Sequence, residues 1–191
     1  MSEKTVVWAL CGSFCTFEKM MPMVEKMKKG GTSVLPMMSF NAASLDTRFG
    51  TAQSWKEQLK EITGKEPIET LQGAEPLGPK NMADAMVIAT CTGSTLAKLA
   101  HGISDTPVTL GAKSMLRSGK PVVLAISTND GLAASFENLA ILLNRKHYYI
   151  VPFAQDDYLK KPSSLQSDFS LIEDTLECAM RGRQIGPVLN L

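Results

Sequence analysis

The residues best suited to chemistry are short hydroxyl-rich runs, each placed after an apolar stretch. Gly12-Ser13-Phe14-Cys15-Thr16 follows the first such stretch and Ser39-Phe40-Asn41 closes the second. Cys91-Thr92-Gly93-Ser94-Thr95, Ser127-Thr128-Asn129-Asp130 and Phe153-Ala154-Gln155-Asp156 follow three more. These runs are small and nearly uncharged. Where such a run opens a helix, free backbone N–H groups and the positive dipole end can receive an anion, and Ser and Thr hydroxyls complete the site without Lys or Arg. Ser and Thr also cap helices with no ligand present. A single run therefore says little; several on one edge point to a phosphate-bearing cofactor.

The fingerprints of larger nucleotides are missing. Gly12-Ser13 is not followed by a G-x-G-x-x-G pattern, and the second stretch ends in Ser39-Phe40 where an acidic ribose ligand is expected. There is no Walker A lysine motif. Flavin mononucleotide (FMN) suits the runs better, with one phosphate, a ribityl chain that takes hydroxyl partners, and an apolar ring. Cys11, Cys15, Cys91 and Cys178 form no C-x-x-C, and His101 and His147 lie far from the first pair. No metal site is expected, and four reduced thiols are.

The runs need elements to hold them, and the pattern alternates strand and helix. Thr5–Cys11 reads as a buried strand, too short and too sparsely charged before it to be a signal peptide. Phe17, Met20, Met21, Val24 and Met27 recur at helical spacing and end at Lys28-Lys29-Gly30-Gly31. The clustered methionines Met20, Met21, Met23 and Met27 read chiefly as a helix packed on a sheet. Thr32–Ser39 is a second strand and Ala52–Thr63 a helix ended by Gly64. Residues Lys65–Lys80 read as loop, with Ile68–Leu71 as a short extra strand. Ala85–Thr90 is the clearest buried strand, and the turn Thr92–Ser94 leads into a helix from Thr95 to His101. Asp105-Thr106-Pro107 caps a helix running to Arg117. Pro121–Ser127, Gly131–Asn144, His147–Pro152 and Ser167–Met180 read as strand, helix, strand and amphipathic helix. This order predicts an α/β fold: one doubly wound, three-layer domain over residues 1–191, with a parallel sheet covered on both faces. Ligands of such sheets bind beyond the carboxyl ends of the strands, where the hydroxyl-rich runs fall.

Composition agrees. The chain has 191 residues, 44% hydrophobic and 20% charged, with a formal net charge of +1. That excludes a disordered chain and gives no general basic field for nucleic acid. No window approaches the roughly 20 apolar residues of a membrane-spanning helix.

The run Ala83–Ile103, with Thr92-Gly93-Ser94-Thr95 inside it, resembles the second flavin loop and following helix of the flavoprotein superfamily that includes phosphopantothenoylcysteine decarboxylase. Val7–Phe17, with Gly12-Ser13, resembles that superfamily's opening. A closer likeness is to the dipicolinate synthase B subunits of spore-forming bacteria. It is carried by Asn41–Gly50, Glu61–Gly64, Gly73–Lys80, Lys120–Asp130 and Val151–Asp156.

The resemblance implies a flavodoxin-like, Rossmann-like fold, trimer-based homo-oligomers and FMN at the strand ends. It implies that Gly12, Ser13 and Phe14 line the flavin phosphate or ring, and that Ser39 meets the phosphate or ribityl chain. It further implies that Thr92, Gly93, Ser94 and Thr95 complete the pocket, with Ser127 and Thr128 as weaker members. The implied activity is that of an oxidoreductase subunit in the cytoplasm of a sporulating mother cell. Acting with an A subunit, it oxidises a dihydrodipicolinate-type precursor to dipicolinate, with NAD(P) possible through that partner. The alternatives are an FMN-dependent decarboxylase and a non-catalytic scaffold for the A subunit. Against decarboxylation, Pro76 stands where those relatives carry a histidine, and Asn129-Asp130-Gly131-Leu132 replaces their asparagine–methionine clamp.

A dicarboxylate substrate calls for cations. Arg48 is the first candidate, since a guanidinium holds a carboxylate through two parallel hydrogen bonds. Lys80 is the second, and Glu75 and Asp130 are candidate bases. His101 at a helix end, His147 at a strand start and Cys91 as a small buried filler are read as structural, and Lys160-Lys161-Pro162 as a solvated turn.

Overall fold

The structure, a computed structural model, describes residues 4–190. Five parallel strands form its centre. They are β1 (Thr5–Leu10), β2 (Ser33–Met38), β3 (Ala85–Cys91), β4 (Val122–Thr128) and β5 (Tyr148–Ile150), in spatial order β2-β1-β3-β4-β5. The order reverses at β1, so the loops after β1 and β3 diverge on the carboxyl edge and leave a crevice between them.

Helices cover both faces. α1 (Phe17–Lys29), α3 (Ala52–Thr63) and α8 (Ile172–Met180) pack on one side. α4 (Leu71–Ala74), α5 (Gly93–Ala100), α6 (Pro107–Arg117) and α7 (Ala134–Leu143) pack on the other. A short α2 (Phe40–Ser44) follows β2 directly. Strand alternation divides the core: Val6, Trp8 and Leu10 face the α1 layer, while Val7 and Ala9 face the α6 layer. Met20, Met21 and Met27 are buried against the sheet, so most of that methionine cluster is packing.

The sheet is mixed rather than purely parallel. β6 (Phe153–Ala154) and β7 (Leu165–Ser167) form an antiparallel pair, and β7 runs antiparallel to the end of β4 through Ser127–Gln166 and Thr128–Leu165. Beyond its pairing with β3, β4 therefore shares its other edge between β5 on its first half and β7 on its second. Other differences from the sequence reading are local. Ile68 makes a single parallel bridge to Met37 rather than a strand. The Gly/Pro-rich stretch contains α4 and a 3-10 turn at Glu75–Leu77. The last helix begins at Ile172, because Ser167 is spent on β7 and Phe169–Leu171 is a 3-10 turn.

Candidate functional site

A cleft of about 370 Å³ opens on the carboxyl edge of the sheet, in the crevice beside β1. Gly12, Ser39, Thr92, Ser94 and Thr95 line it, together with Phe40, Asn41, Lys98, Asp105 and Thr106. Three helix starts converge there. Ser39 caps α2 by accepting from Ala42 N–H (3.3 Å). Thr92 caps α5 by accepting from Thr95 N–H (3.3 Å), and its hydroxyl lies 3.1 Å from that of Thr95. Thr106 caps α6 in a reciprocal capping box with Thr109. Each cap leaves other first-turn N–H groups without a helical partner, as any helix start must.

The remaining predicted cofactor residues, Ser13, Phe14, Gly93, Ser127 and Thr128, do not line this cleft but adjoin residues that do or one another. Ser13 Oγ donates to Ser127 Oγ at 3.0 Å, joining the loop after β1 to the end of β4. Beneath Ser13, the buried hydroxyls of Thr16 and Thr90 are 2.9 Å apart, and Thr16 Oγ1 donates to Ser13 C=O (2.6 Å). The Phe14 ring packs on Phe17, 5.4 Å between centroids, and Phe17 meets Trp55 edge-on at 5.6 Å. Phe14 thus stands beside Gly12 but faces the α1 core more than the cleft. Gly93 is a point of close approach. A Cβ there would lie 2.5 Å from Ser135 Oγ, 2.7 Å from Asp130 Oδ1 and 2.8 Å from Thr128 Oγ1.

Asp130 is engaged at that contact. Its Oδ1 accepts from Thr128 Oγ1 and from Ser135 Oγ (2.9 Å), so the carboxylate ties the end of β4 to the start of α7. Arg48 is exposed at the tip of a turn closed by mutual Thr47–Gly50 backbone hydrogen bonds, with its guanidinium carbon 4.8 Å from the Phe49 ring centroid. Glu75 and Lys80 are exposed at the opposite edge. Ser114 Oγ donates to Glu75 C=O (2.7 Å), and Ser114 lies eight residues along α6 from Thr106, about 12 Å at helical rise. The segment then returns to the amino end of β1, where Asp84 N–H donates to Thr5 C=O. The structure therefore gathers the hydroxyl residues on one edge and separates Glu75 and Lys80 from them.

Lys98, Asp105 and Thr106 line the cleft although the sequence reading did not assign them to a site. Lys98 Nζ bonds both carboxylate oxygens of Asp105, at 2.8 and 2.9 Å. The Lys98 ammonium holds the Asp105 carboxyl below the usual carboxylate range. Among the described residues, the pair cancels the only formal charges lining the cleft, so an anion there would meet N–H groups and hydroxyls. The signal for this pair lay in a lysine and an aspartate of opposite charge on either side of Gly102. Under the cleft, burial pushes the Cys11 thiol up to about 11, partly offset by a hydrogen bond with Thr95. Burial pushes Cys91 well up too, with Cys11 nearby adding to the effect. Both are inert core thiols.

The residues present fit FMN. A neutral, hydroxyl-lined cleft receives the starts of α5 and α6, and a Cβ at Gly12 would meet only the Phe14 ring edge at 3.8 Å, so the backbone there is open to a ligand. Fold and cleft together define an α/β protein of the flavoprotein class, and the family model described as Flavoprotein matches residues 1–159. Within that class, the chain belongs to the family of dipicolinate synthase B subunits. It is 41% identical over 189 residues to the dipicolinate synthase B subunit of Bacillus subtilis (strain 168), covering 99% of this chain and 94% of the relative. The crystal structure of the dipicolinate synthase B subunit from Bacillus halodurans C superposes with a TM-score of 0.90 at 40% identity, covering 98% and 96% of the two chains. The FMN-dependent cysteine decarboxylase SpaF shares the fold, with a TM-score of 0.71 at 24% identity over 93% of this chain and 98% of that one.

Proposed function

We propose that the chain binds FMN in the cleft at the carboxyl edge and acts with a partner A subunit to oxidise a dihydrodipicolinate-type precursor to dipicolinate. The observation that carries the reading is the convergence of Gly12, Ser39 and the Thr92- and Thr106-capped helix starts on one charge-neutral cleft. In this reading the N–H groups of Gly93, Ser94 and Thr95 and the hydroxyls of Ser39, Thr92 and Ser94 hold the phosphate and ribityl chain. Gly12, Ser13 and Phe14 border the ring, with Ser127 and Thr128 behind them. Bound FMN would supply a two-electron acceptor, taking a hydride as the substrate ring loses two hydrogens and becomes aromatic. Arg48, exposed beyond the Ser39–Asn41 wall, is the proposed clamp for a substrate carboxylate. A role for Glu75 or Lys80 would require a second copy of the chain, since each lies at the edge opposite its own cleft. Homo-oligomers built on trimers provide such copies. Among relatives sharing the fold, one is described as a cubic protein cage for redox transfer and another as dodecameric. NAD(P) on the A subunit is the proposed final acceptor, and the cytoplasm of a sporulating mother cell the proposed setting.

The test is a visible absorption spectrum of the purified protein, then a fluorescence titration with FMN and turnover with the A subunit added. Flavin bands or saturable quenching, with dipicolinate formed only by the flavin-loaded pair, are expected. Absence of both bands and quenching, with full output from the A subunit and this chain, would overturn the flavin assignment in favour of a scaffold. Release of carbon dioxide in place of dipicolinate would favour a decarboxylase.

A further inference from the structure

A second concavity, of about 520 Å³, lies between the carboxyl end of α5, the outer side of α6 and the turn entering β5. Its volume is that of a small-molecule site. Leu99, Ile103, Leu116 and Tyr148 give it an apolar floor. Its rim is basic. Lys113 and Arg117 stand one turn apart on α6, and Arg145, Lys146 and His147 follow one another along the facing turn. Among the described residues, no Asp or Glu lines it.

Elsewhere on the surface lysines find carboxylates: Lys26 pairs with Glu173, Lys29 with Glu25, and Lys161 with Asp156. Among the described residues, Lys113, Arg117, Arg145 and Lys146 form no such pair. Clustered like charges without a counter-charge repel one another, and among the described residues Lys113 reaches only the neutral Ser104 hydroxyl, at 3.4 Å. One further contact holds the rim in place: Arg145 Nη1 donates to Leu99 C=O at 3.1 Å, anchoring the guanidinium at the groove wall. On the floor, burial pushes the Tyr148 phenol up to about 12, against the opposing effect of Arg145, so it stays neutral and able to donate.

We propose that this groove binds a small organic polyanion. Its planar or apolar body lies on Leu99, Ile103, Leu116 and Tyr148, and its negative groups meet the rim cations Lys113, Arg117, Arg145 and Lys146. A nucleoside diphosphate and an aromatic dicarboxylate share this chemistry. The dicarboxylate source depends on the function proposed above and the nucleotide source does not.

Calorimetric titration of the full chain with ADP, pyridine-2,6-dicarboxylate and inorganic phosphate separates the cases. Saturable binding of ADP or of the dicarboxylate is expected, and the probe that binds identifies the source. Lys113→Gln with Arg117→Gln, at exposed helix positions, should weaken it about tenfold or more. Circular dichroism and FMN titration of that variant should be unchanged, which separates failure of this site from failure of the cleft. Ile103→Glu, exposed on the floor, should abolish binding without unfolding the chain. Inorganic phosphate binding as tightly as the larger probes would overturn the proposal, because the apolar floor would then contribute nothing. So would no saturation with any probe, or a double variant that changes the oligomer's mass and not the affinity.

Discussion

Ser13 and Ser127, 114 residues apart, share a hydrogen bond of 3.0 Å that ties the loop after β1 to the end of β4. The bond crosses β3, whose Thr90 hydroxyl meets Thr16 just below. Ser13→Ala and Ser127→Ala should each cost about 1 kcal/mol of stability, the net worth of one hydrogen bond. The double variant should cost little more than either single one, since both remove the same interaction. Urea unfolding of the three variants measures this, and fully additive losses would show that the pair is not coupled.

Gly12 and Gly93 separate site from fold. Ala at Gly93 would drive its Cβ into Ser135, Asp130 and Thr128, and overpacking of this kind costs about 1–3 kcal/mol. Gly93→Ala should lower both the melting temperature and FMN affinity. Gly12→Ala meets only the Phe14 ring edge, so it should leave the melting temperature unchanged while weakening FMN. A fluorescence titration paired with thermal melts distinguishes the two.

The cysteines should react in a fixed order. Cys15 is exposed and Cys178 half-buried, whereas Cys11 and Cys91 are buried with thiols pushed up by that burial. A chromogenic disulfide reagent at pH 8 should label Cys15 quickly, Cys178 slowly, and the other two only in denaturant. Rapid labelling of Cys11 or Cys91 in the native protein would contradict the packing under the cleft.

The Lys98–Asp105 pair predicts effects of opposite sign. Lys98→Gln leaves the Asp105 carboxylate facing a bound phosphate and should weaken FMN several-fold. Asp105→Asn frees the ammonium and should tighten it. Because the Asp105 carboxyl is held below the usual range, its contribution to stability is present above the unfolded carboxylate pKa and is lost as pH falls through the lower folded value. Between pH 6 and 8 the pair should therefore impart no pH dependence to flavin binding, which titrations across that window test.

Elements with strong local signals were legible in the sequence. Ala52–Thr63 is a helix over the expected residues because Trp55 and Leu59 sit on one face and Gly64 ends it in the left-handed conformation, φ +74°. The runs at Ser39 and Thr92 were legible for the same reason, since each hydroxyl bonds the helix start immediately beside it, as does the predicted cap Thr106. Contacts between distant segments were not. β7 has three residues, and only its register with β4 makes it a strand, so Ser167 read as the start of the following helix. Lys98 and Asp105, only seven residues apart, were missed for another reason: they meet because the chain turns back at Gly102, where φ is +70°, which their spacing alone does not show. The placement of Glu75 and Lys80 opposite the cleft follows from Ser114 on α6, 39 residues beyond Glu75.

The divided pairing of β4 bears on how the chain tolerates shortening. The Flavoprotein match ends at residue 159, and β7 lies beyond it. A chain cut there would keep β1 to β5 and lose the strand that covers the second half of β4. The backbone N–H and C=O groups of Ser127 and Thr128 would then form an open edge, a template for strands of other molecules. By covering that edge, the segment beyond residue 159 guards the sheet against pairing with other molecules.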